Sequence, residues 1–333
     1  MLVFSFIKKF KIFSKPVIDN KKQSKLEVKA EQREYKYEFA LFTGSFIRDL
    51  KRCFFAYQSF EKFFLNPVPY FICVPENDLK NFESYFYEKL SLKEIKELPN
   101  FLTERQVLEM AGEPVEEALQ MKGYYLQDCI RLCFGLTGIA KHYLMNDSDG
   151  YFIKDFDKKH LYQNGKLKFI FHECWHEPKT AEQMSLLDFC HGNKEFINLK
   201  LSYFDLQKTI KCLLNHDDNN FHNYTCTPSA FDSDVLWDMK NYLIGCGLKN
   251  YTNIIRMIPF AFQWYGEYLA KSRKLIPMPF LFFCCEPPVE VWKVKKSFFD
   301  DPNKYGIQYQ SVDYGKGGIA HDRVSPTIVY QDE

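Results

Sequence analysis

The pattern that most restricts how this chain can fold is a short apolar run followed by helical spacing, met twice in succession. Glu38-Phe-Ala-Leu-Phe-Thr-Gly44 reads as a buried strand. Behind it Phe46, Ile47, Leu50, Phe54, Tyr57 and Phe60 recur along one helix face, with Ser45 as N-cap. Pro69-Tyr-Phe-Ile-Cys-Val-Pro75 repeats the run, and its helix starts near Asn77-Asp78. Strands joined through helices do not pair as hairpins. The two units therefore imply an α/β fold with a Rossmann-type, mostly parallel central sheet and helices on both faces. At 333 residues and 46% hydrophobic content the chain is large enough to bury such a core.

A third apolar run, Tyr143-Leu-Met145, stops at Asp147-Ser148-Asp149, and Tyr151-Phe-Ile153 resumes extended chain after it. Open α/β sheets bind ligands beyond the carboxyl ends of their strands. Two carboxylates delivered there repel each other unless a cation lies between them, and a divalent ion that also holds a phosphate meets that need. Asp155-Phe-Asp157 and Asp232-Ser-Asp234 share the spacing but not the place at a buried strand end. Asp147 and Asp149 are thus the expected metal ligands, and Asp147 and Ser148 are expected to face a bound nucleotide.

Other candidates gather around the same strands. Thr43 and Ser45 stand at a strand, turn and helix junction, where unpaired N–H groups attract phosphate. Asp78, past the second strand, is expected to receive a base or ribose hydroxyl. Gly123 to Gly135 reads as the helix leading into the third run. Its apolar face, Leu126, Ile130, Cys133 and Phe134, leaves Gln127 and Arg131 together on a neighbouring one. A guanidinium there can offset the charge of a diphosphate leaving group. Between Ser91 and Glu117 only a capping box, Thr103-Glu-Arg-Gln106, stands out, and it announces a short helix without evident chemistry.

Phe42-Thr-Gly-Ser45, Cys73-Val-Pro-Glu-Asn-Asp78, Tyr124-Tyr-Leu-Gln-Asp-Cys-Ile-Arg131, Tyr143-Leu-Met-Asn-Asp-Ser-Asp149 and Phe262-Gln-Trp-Tyr-Gly-Glu-Tyr268 resemble successive blocks of a bacterial glycosyltransferase-like family of uncharacterised members. That family is associated with surface polysaccharide loci, and the resemblance runs from about Phe39 to Leu269. It implies a GT-A-like fold in which the Asp-x-Asp element holds Mn²⁺ or Mg²⁺ against a nucleotide-sugar diphosphate. It also implies a late third metal ligand, for which His321 after the Gly-rich stretch Gly315-Lys-Gly-Gly318 is the candidate. Arg131 stands where the family often has lysine, and Ala261 where it often has an acid.

Residues 37–333 are expected to form one domain, with a nucleotide-binding half over about 37–160 and an acceptor-binding half over about 161–333. In the second half Ile254 to Lys271 reads as one helix. It presents Gln263 and Glu267 together beside the aromatic Trp264, Tyr265 and Tyr268, a combination suited to sugar hydroxyls and apolar sugar faces. Gln263, Trp264 and Tyr265 are the expected acceptor contacts and Glu267 the first candidate for general base. Asp232 reads first as an acid at a helix start and second as a base facing the acceptor hydroxyl. Leu161 to Phe171 reads as a hairpin turning at Asn164-Gly165.

His172-Glu-Cys-Trp-His176 satisfies the spacing His-Glu-x-x-His, which makes a zinc-dependent hydrolase using His172, Glu173 and His176 the alternative enzyme. That chemistry needs a helix, and the strand-like Phe169-Ile-Phe171 before it and Pro178 after it oppose one. The remaining alternative is a non-catalytic nucleotide- or sugar-binding assembly factor.

Composition narrows the setting. A net charge of +1 gives no general field for nucleic acid. Eleven cysteines without framework spacing read as reduced, buried thiols and point to the cytoplasm. The first 36 residues carry ten Lys/Arg against four Asp/Glu, and residues 1–15 mix lysines with bulky apolar side chains. Such a leader suits peripheral attachment to the anionic surface of an inner membrane. The expected partners are a nucleotide-sugar donor and a capsule, lipooligosaccharide or other glycan, or lipid-linked, acceptor.

Overall fold

A computed structural model describes residues 33–91, 98–121, 123–170, 172–175, 206–218, 221–224 and 228–272, and strands at 277–278, 283–286, 291–295, 306–309 and 327–331. The chain divides into two compact units, Met1–Glu34 and Tyr35–Glu333. Residues 1–34 of the basic leader fall in the first, and 1–32, with the stretch expected to meet a membrane, lie outside the described residues. Among the described residues no helix is long and apolar enough to cross a membrane.

In the second unit the chain runs β1 (Tyr37–Gly44), α1 (Leu50–Phe63), β2 (Tyr70–Val74), α2 (Leu79–Ser91), β3 (Asn100–Thr103), α3 (Glu104–Met110), α4 (Tyr124–Phe134) and β4 (Ala140–Met145). A short strand β5 (Gly150–Phe152) then leaves the sheet, and β6 (Ser229–Asp232) returns to it. In space the sheet order is β6-β4-β1-β2-β3, with β1 to β4 parallel and β6 antiparallel to β4. Three helices follow: α5 (Ser233–Gly245), α6 (Tyr251–Met257) and α7 (Ala261–Lys271).

The sheet is buried on both faces, which is why its strands read as apolar runs rather than as alternations. Phe39 and Leu41 pack with Phe54, Tyr57 and Phe60 of α1 and Phe82 and Phe86 of α2. Ala40 and Phe42, pointing the other way, pack with α3 to α7. There the Phe42 ring lies 4.1 Å from Phe134, nearly parallel to it. The α/β architecture with helices on both faces is therefore as expected.

Details differ. α1 begins at Leu50, after a 3-10 turn at Ile47–Asp49, so Ser45 is no cap but a buried residue in the loop. β3 was not anticipated, because Asn-Phe-Leu-Thr is too short and too polar at its start to stand out; the capping box that follows it forms as read. Likewise β6 escaped notice in Ser-Ala-Phe-Asp. The expected helix over Ile254 to Lys271 is two helices, α6 and α7, broken where Pro259 lacks an N–H to continue the ladder. The Asn164-Gly165 hairpin is present, both residues at positive φ. Gly266 sits mid-helix in α7 at a propensity cost of about 1 kcal/mol because a Cβ there would lie 2.3 Å from the buried Tyr224 ring.

Candidate active site

In this strand order β1 is flanked by β2, reached through α1 on one face, and by β4, reached through helices on the other. That reversal opens a crevice at the carboxyl ends of β1 and β4. Phe42, Gly44 and Ser45 from β1 and its loop, Cys73 from β2, Glu104 from α3, and Gln127, Ile130 and Arg131 from α4 line a narrow cleft at this edge, with a free volume of about 10 Å³. Of the expected nucleotide contacts, the structure thus brings Ser45, Gln127 and Arg131 together. Asp78 is near as well: its Oδ2 accepts a 2.9 Å hydrogen bond from the Ile47 N–H, and its charge acts on Glu104.

Asp147 joins the same cleft through Arg131. The guanidinium donates from Nη2 to Asp147 Oδ1 at 2.6 Å and from Nη1 to Asp128 Oδ1 at 2.6 Å, and stands 5.3 Å from the Phe262 ring centre. Asp128 is buried within α4, and its other oxygen accepts from the Ala261 N–H at the start of α7 at 3.3 Å. Burial opposes the charge of Arg131, but Asp147 and Asp128 outweigh it and hold its pKa above the usual value. For Asp128, burial prevails over Arg131 and pushes the carboxyl up.

The acidic tip is a tight loop. The Asn146 N–H donates to the Phe42 carbonyl, tying β4 to β1, and the Asn146 side chain donates to the Gly150 carbonyl at 2.9 Å. A Cβ on Gly150 would lie 2.2 Å from Asn146 Oδ1, so any other residue there would have to displace the Asn146 carboxamide. Ser148 and Asp149 are buried, whereas the Asp147 side chain is 25% exposed and faces the cleft edge. Beside Asp149, burial pushes the Tyr151 phenol up, with Asp149 adding to the effect and Arg52 opposing it.

Whether these residues suit a cation is a matter of donors and charge. Carboxylate oxygens two residues apart are hard ligands of the kind Mn²⁺ and Mg²⁺ take. Asp147, partly exposed at the tip, and Asp149, buried two residues on, are the residues that would hold such an ion, and Asp147 already answers Arg131 at 2.6 Å. A second group, Glu113, Cys129 and Cys133, has its ligand atoms within 4.8 Å of one another. Glu113 there already accepts from Lys240 Nζ at 2.9 Å and from the Thr252 N–H and hydroxyl, and burial pushes the Cys133 thiol well up. That group is core packing around an ion pair.

Several candidates sit elsewhere. Thr43 is fully buried, its hydroxyl 2.8 Å from that of Tyr70 in the core. Asp232 pairs with His142, midway along β4, five residues or roughly 16 Å of strand away from Asp147. Its carboxylate caps α5 at the Val235 N–H; burial pushes its pKa up, but His142, 3.6 Å away, and the N–H groups of Val235 and Asp234 together hold it below the usual carboxylate range. The reading of Asp232 as a helix-end acid holds, and the reading as an acceptor base is corrected by the antiparallel return of β6.

Gln263, Trp264, Tyr265 and Glu267 are all buried, so the expected acceptor platform is core instead. Trp264 donates to the Ile258 carbonyl, and Tyr265 accepts from the Asp232 N–H. Glu267 is fully enclosed, accepting from Gln207 at 2.8 Å and Gln263 at 3.1 Å, with His216 Nδ1 at 2.8 Å and Lys211 Nζ at 3.9 Å. Helical spacing had placed Gln263 beside Glu267 correctly but could not tell which way that face turned. His172–Trp175 is a strand paired with Phe221–Asn223, not the helix a zinc hydrolase requires, and His176 and His321 lie outside the described residues.

Two residues of the cleft went unnoticed in the sequence. Asp128, three residues before Arg131, looks there like one half of a surface pair. Glu104 looks like the acid of a helix's first turn. Burial and the charge of Asp78 push the Glu104 carboxyl up to about 7.

The bifunctional glycosyltransferase WbbM is similar in fold at 11% identity and a TM-score of 0.45, over 76% of this chain and 40% of that one. This chain therefore spans about two fifths of WbbM. The galactosyltransferase LgtC, solved with donor and acceptor sugar analogues, gives 9% identity and 0.40 over 86% and 93%, and the mannosyltransferase Ktr4p from S. cerevisiae 13% and 0.39 over 75% and 72%. No curated protein matches the chain in sequence. A family model of unknown function, DUF6492, matches residues 42–271, which hold the end of β1, the other four strands of the sheet, the acidic tip and Arg131. By that match the chain belongs to the DUF6492 family.

Proposed function

We propose that the protein is a metal-dependent glycosyltransferase that moves a sugar, a hexose or a close relative, from a nucleotide-sugar donor to a surface glycan acceptor such as capsule or lipooligosaccharide. The observation that carries this reading is the meeting of Ser45, Gln127, Arg131 and Asp147 at one crevice on the carboxyl edge of a parallel sheet. Mn²⁺ or Mg²⁺ held by Asp147 and Asp149 would supply Lewis-acid stabilisation of the departing diphosphate. Arg131 adds a fixed positive charge where negative charge develops, and Ser45 and Gln127 offer hydrogen bonds to the nucleotide. The work is done in the cytoplasm, with the basic leader resting on the inner membrane near a lipid-linked or growing glycan.

A second reading, a nucleotide-binding assembly factor, draws on a specific feature. Among the described residues neither proposed base reaches the tip, since Asp232 sits beside His142, midway along β4, and Glu267 is enclosed. Thermal melting of the full chain with each nucleoside diphosphate, with and without Mn²⁺, tests the site. Stabilisation by about 2.7 kcal/mol at a hundredfold excess over Kd is expected only with the ion, and only while Asp147 and Asp149 are intact. Equal stabilisation in the Asp147→Asn, Asp149→Asn double variant would refute the metal site. Metal-dependent binding without diphosphate release from any nucleotide sugar would favour the assembly factor.

The cleft also titrates. An ionised Glu104 repels an anionic ligand, and the protonated form does not. Nucleoside diphosphate affinity is expected to fall several-fold between pH 6 and 8, as the carboxyl with a pKa of about 7 ionises, and to lose this dependence in Glu104→Gln. Isothermal titration at the two pH values checks it, and an unchanged slope in the variant rules Glu104 out as its source.

A further inference from the structure

Arg131 touches two acids at once, Asp128 behind it and Asp147 in front, both at 2.6 Å. Asp128 is buried and fixed to the start of α7 through the Ala261 N–H, whereas Asp147 is a partly exposed member of the acidic tip. The guanidinium is thus anchored at its rear, with one arm on a carboxylate that a divalent ion would also use. A cation arriving at Asp147 meets a positive charge already bonded there, and a diphosphate arriving at the cleft meets a guanidinium already occupied. Each obstacle is removed by the other ligand, because a diphosphate can take the Nη2 arm and so release Asp147.

We propose that Asp128 and Arg131 form an exchangeable latch on Asp147, which makes divalent cation and diphosphate bind together rather than independently. Asp128 is the positioning residue, the pivot that keeps the guanidinium in the cleft while its free arm changes partner. The inference rests on the transferase reading only in taking a cation and a diphosphate as the ligands. By linkage, whatever the diphosphate does to cation affinity the cation must do in return to diphosphate affinity.

The test uses Mn²⁺ itself, its free concentration read by electron paramagnetic resonance over the full chain, with and without a nucleoside diphosphate. In Arg131→Gln, Mn²⁺ alone is expected to bind at least tenfold more tightly than in the parent, since a competing charge beside its ligand is gone. Its further gain on adding the diphosphate is expected to shrink. Chelation of Mn²⁺ by the nucleotide in solution is common to both proteins and cancels in their ratio. Asp128→Asn leaves the guanidinium to Asp147 alone, and Mn²⁺ alone is expected to bind several-fold more weakly. Should Arg131→Gln fold poorly with Asp128 stranded, the double variant Asp128→Asn, Arg131→Gln removes both charges and is expected to show the same tighter Mn²⁺ binding. Equal Mn²⁺ affinity in parent and Arg131 variants overturns the latch and leaves the transferase reading intact. Absence of any Mn²⁺ binding in all of them overturns both.

Discussion

Glu267→Ala is expected to lower stability by about 3–5 kcal/mol, as when one partner of a buried charge network is removed. The carboxylate is fully enclosed, and what surrounds it is built to receive it. Gln207 and Lys211 from the helix at 206–213, His216 from the loop after it, and Gln263 one turn back on α7 all converge on its two oxygens. Truncation takes away the carboxylate oxygen 3.9 Å from the Lys211 ammonium, which is itself buried and also donates to the Asp218 carbonyl at 2.9 Å. Glu267→Gln keeps the volume and one acceptor oxygen, and is expected to lose less. Thermal and denaturant melting of both variants measures the difference. A Glu267→Ala protein that melts like the parent but has lost sugar transfer would restore the base role that burial argues against.

Arg131→Ala is expected to slow diphosphate release from a nucleotide sugar by about 10²–10³-fold, the range seen when one fixed donor to developing negative charge is removed. It also strands Asp128 in the core. Burial already holds that carboxyl above its ordinary range, and losing the guanidinium raises it further. A carboxyl whose folded pKa exceeds its unfolded one contributes stability below the unfolded pKa, and loses it as pH rises through the folded value. The variant should therefore melt closer to the parent at pH 5 than at pH 8. A melting difference independent of pH would mean that Asp128 finds another cation, and unaltered turnover would remove Arg131 from the chemistry.

The sheet was legible where burial on both faces left nothing but apolar residues. Tyr70–Val74 is buried at every position, and prolines bound it in sequence as the fold bounds it in space. The acidic tip was legible for a related reason, because Met145 is the last buried apolar residue before charge begins. β3 and β6 were not, since four residues carry too little periodicity and their strand character comes from neighbours far along the chain. The buried side of α7 was illegible in a different way. Gln263 and Glu267 are polar, so a helix read alone turns them outward. Their partners Gln207, Lys211 and His216 lie some fifty residues upstream in a segment that gives no hint of the meeting.

The grip of Asn146 on Gly150 has a bearing on speed as well as shape. Because the turn is locked by a carboxamide on one side and a missing side chain on the other, the spacing of the two acids is settled while the protein folds. A ligand reaching the tip meets a turn already formed, so capture should be limited by diffusion and by the charge it must displace, and should show no slow rearrangement phase of the loop itself.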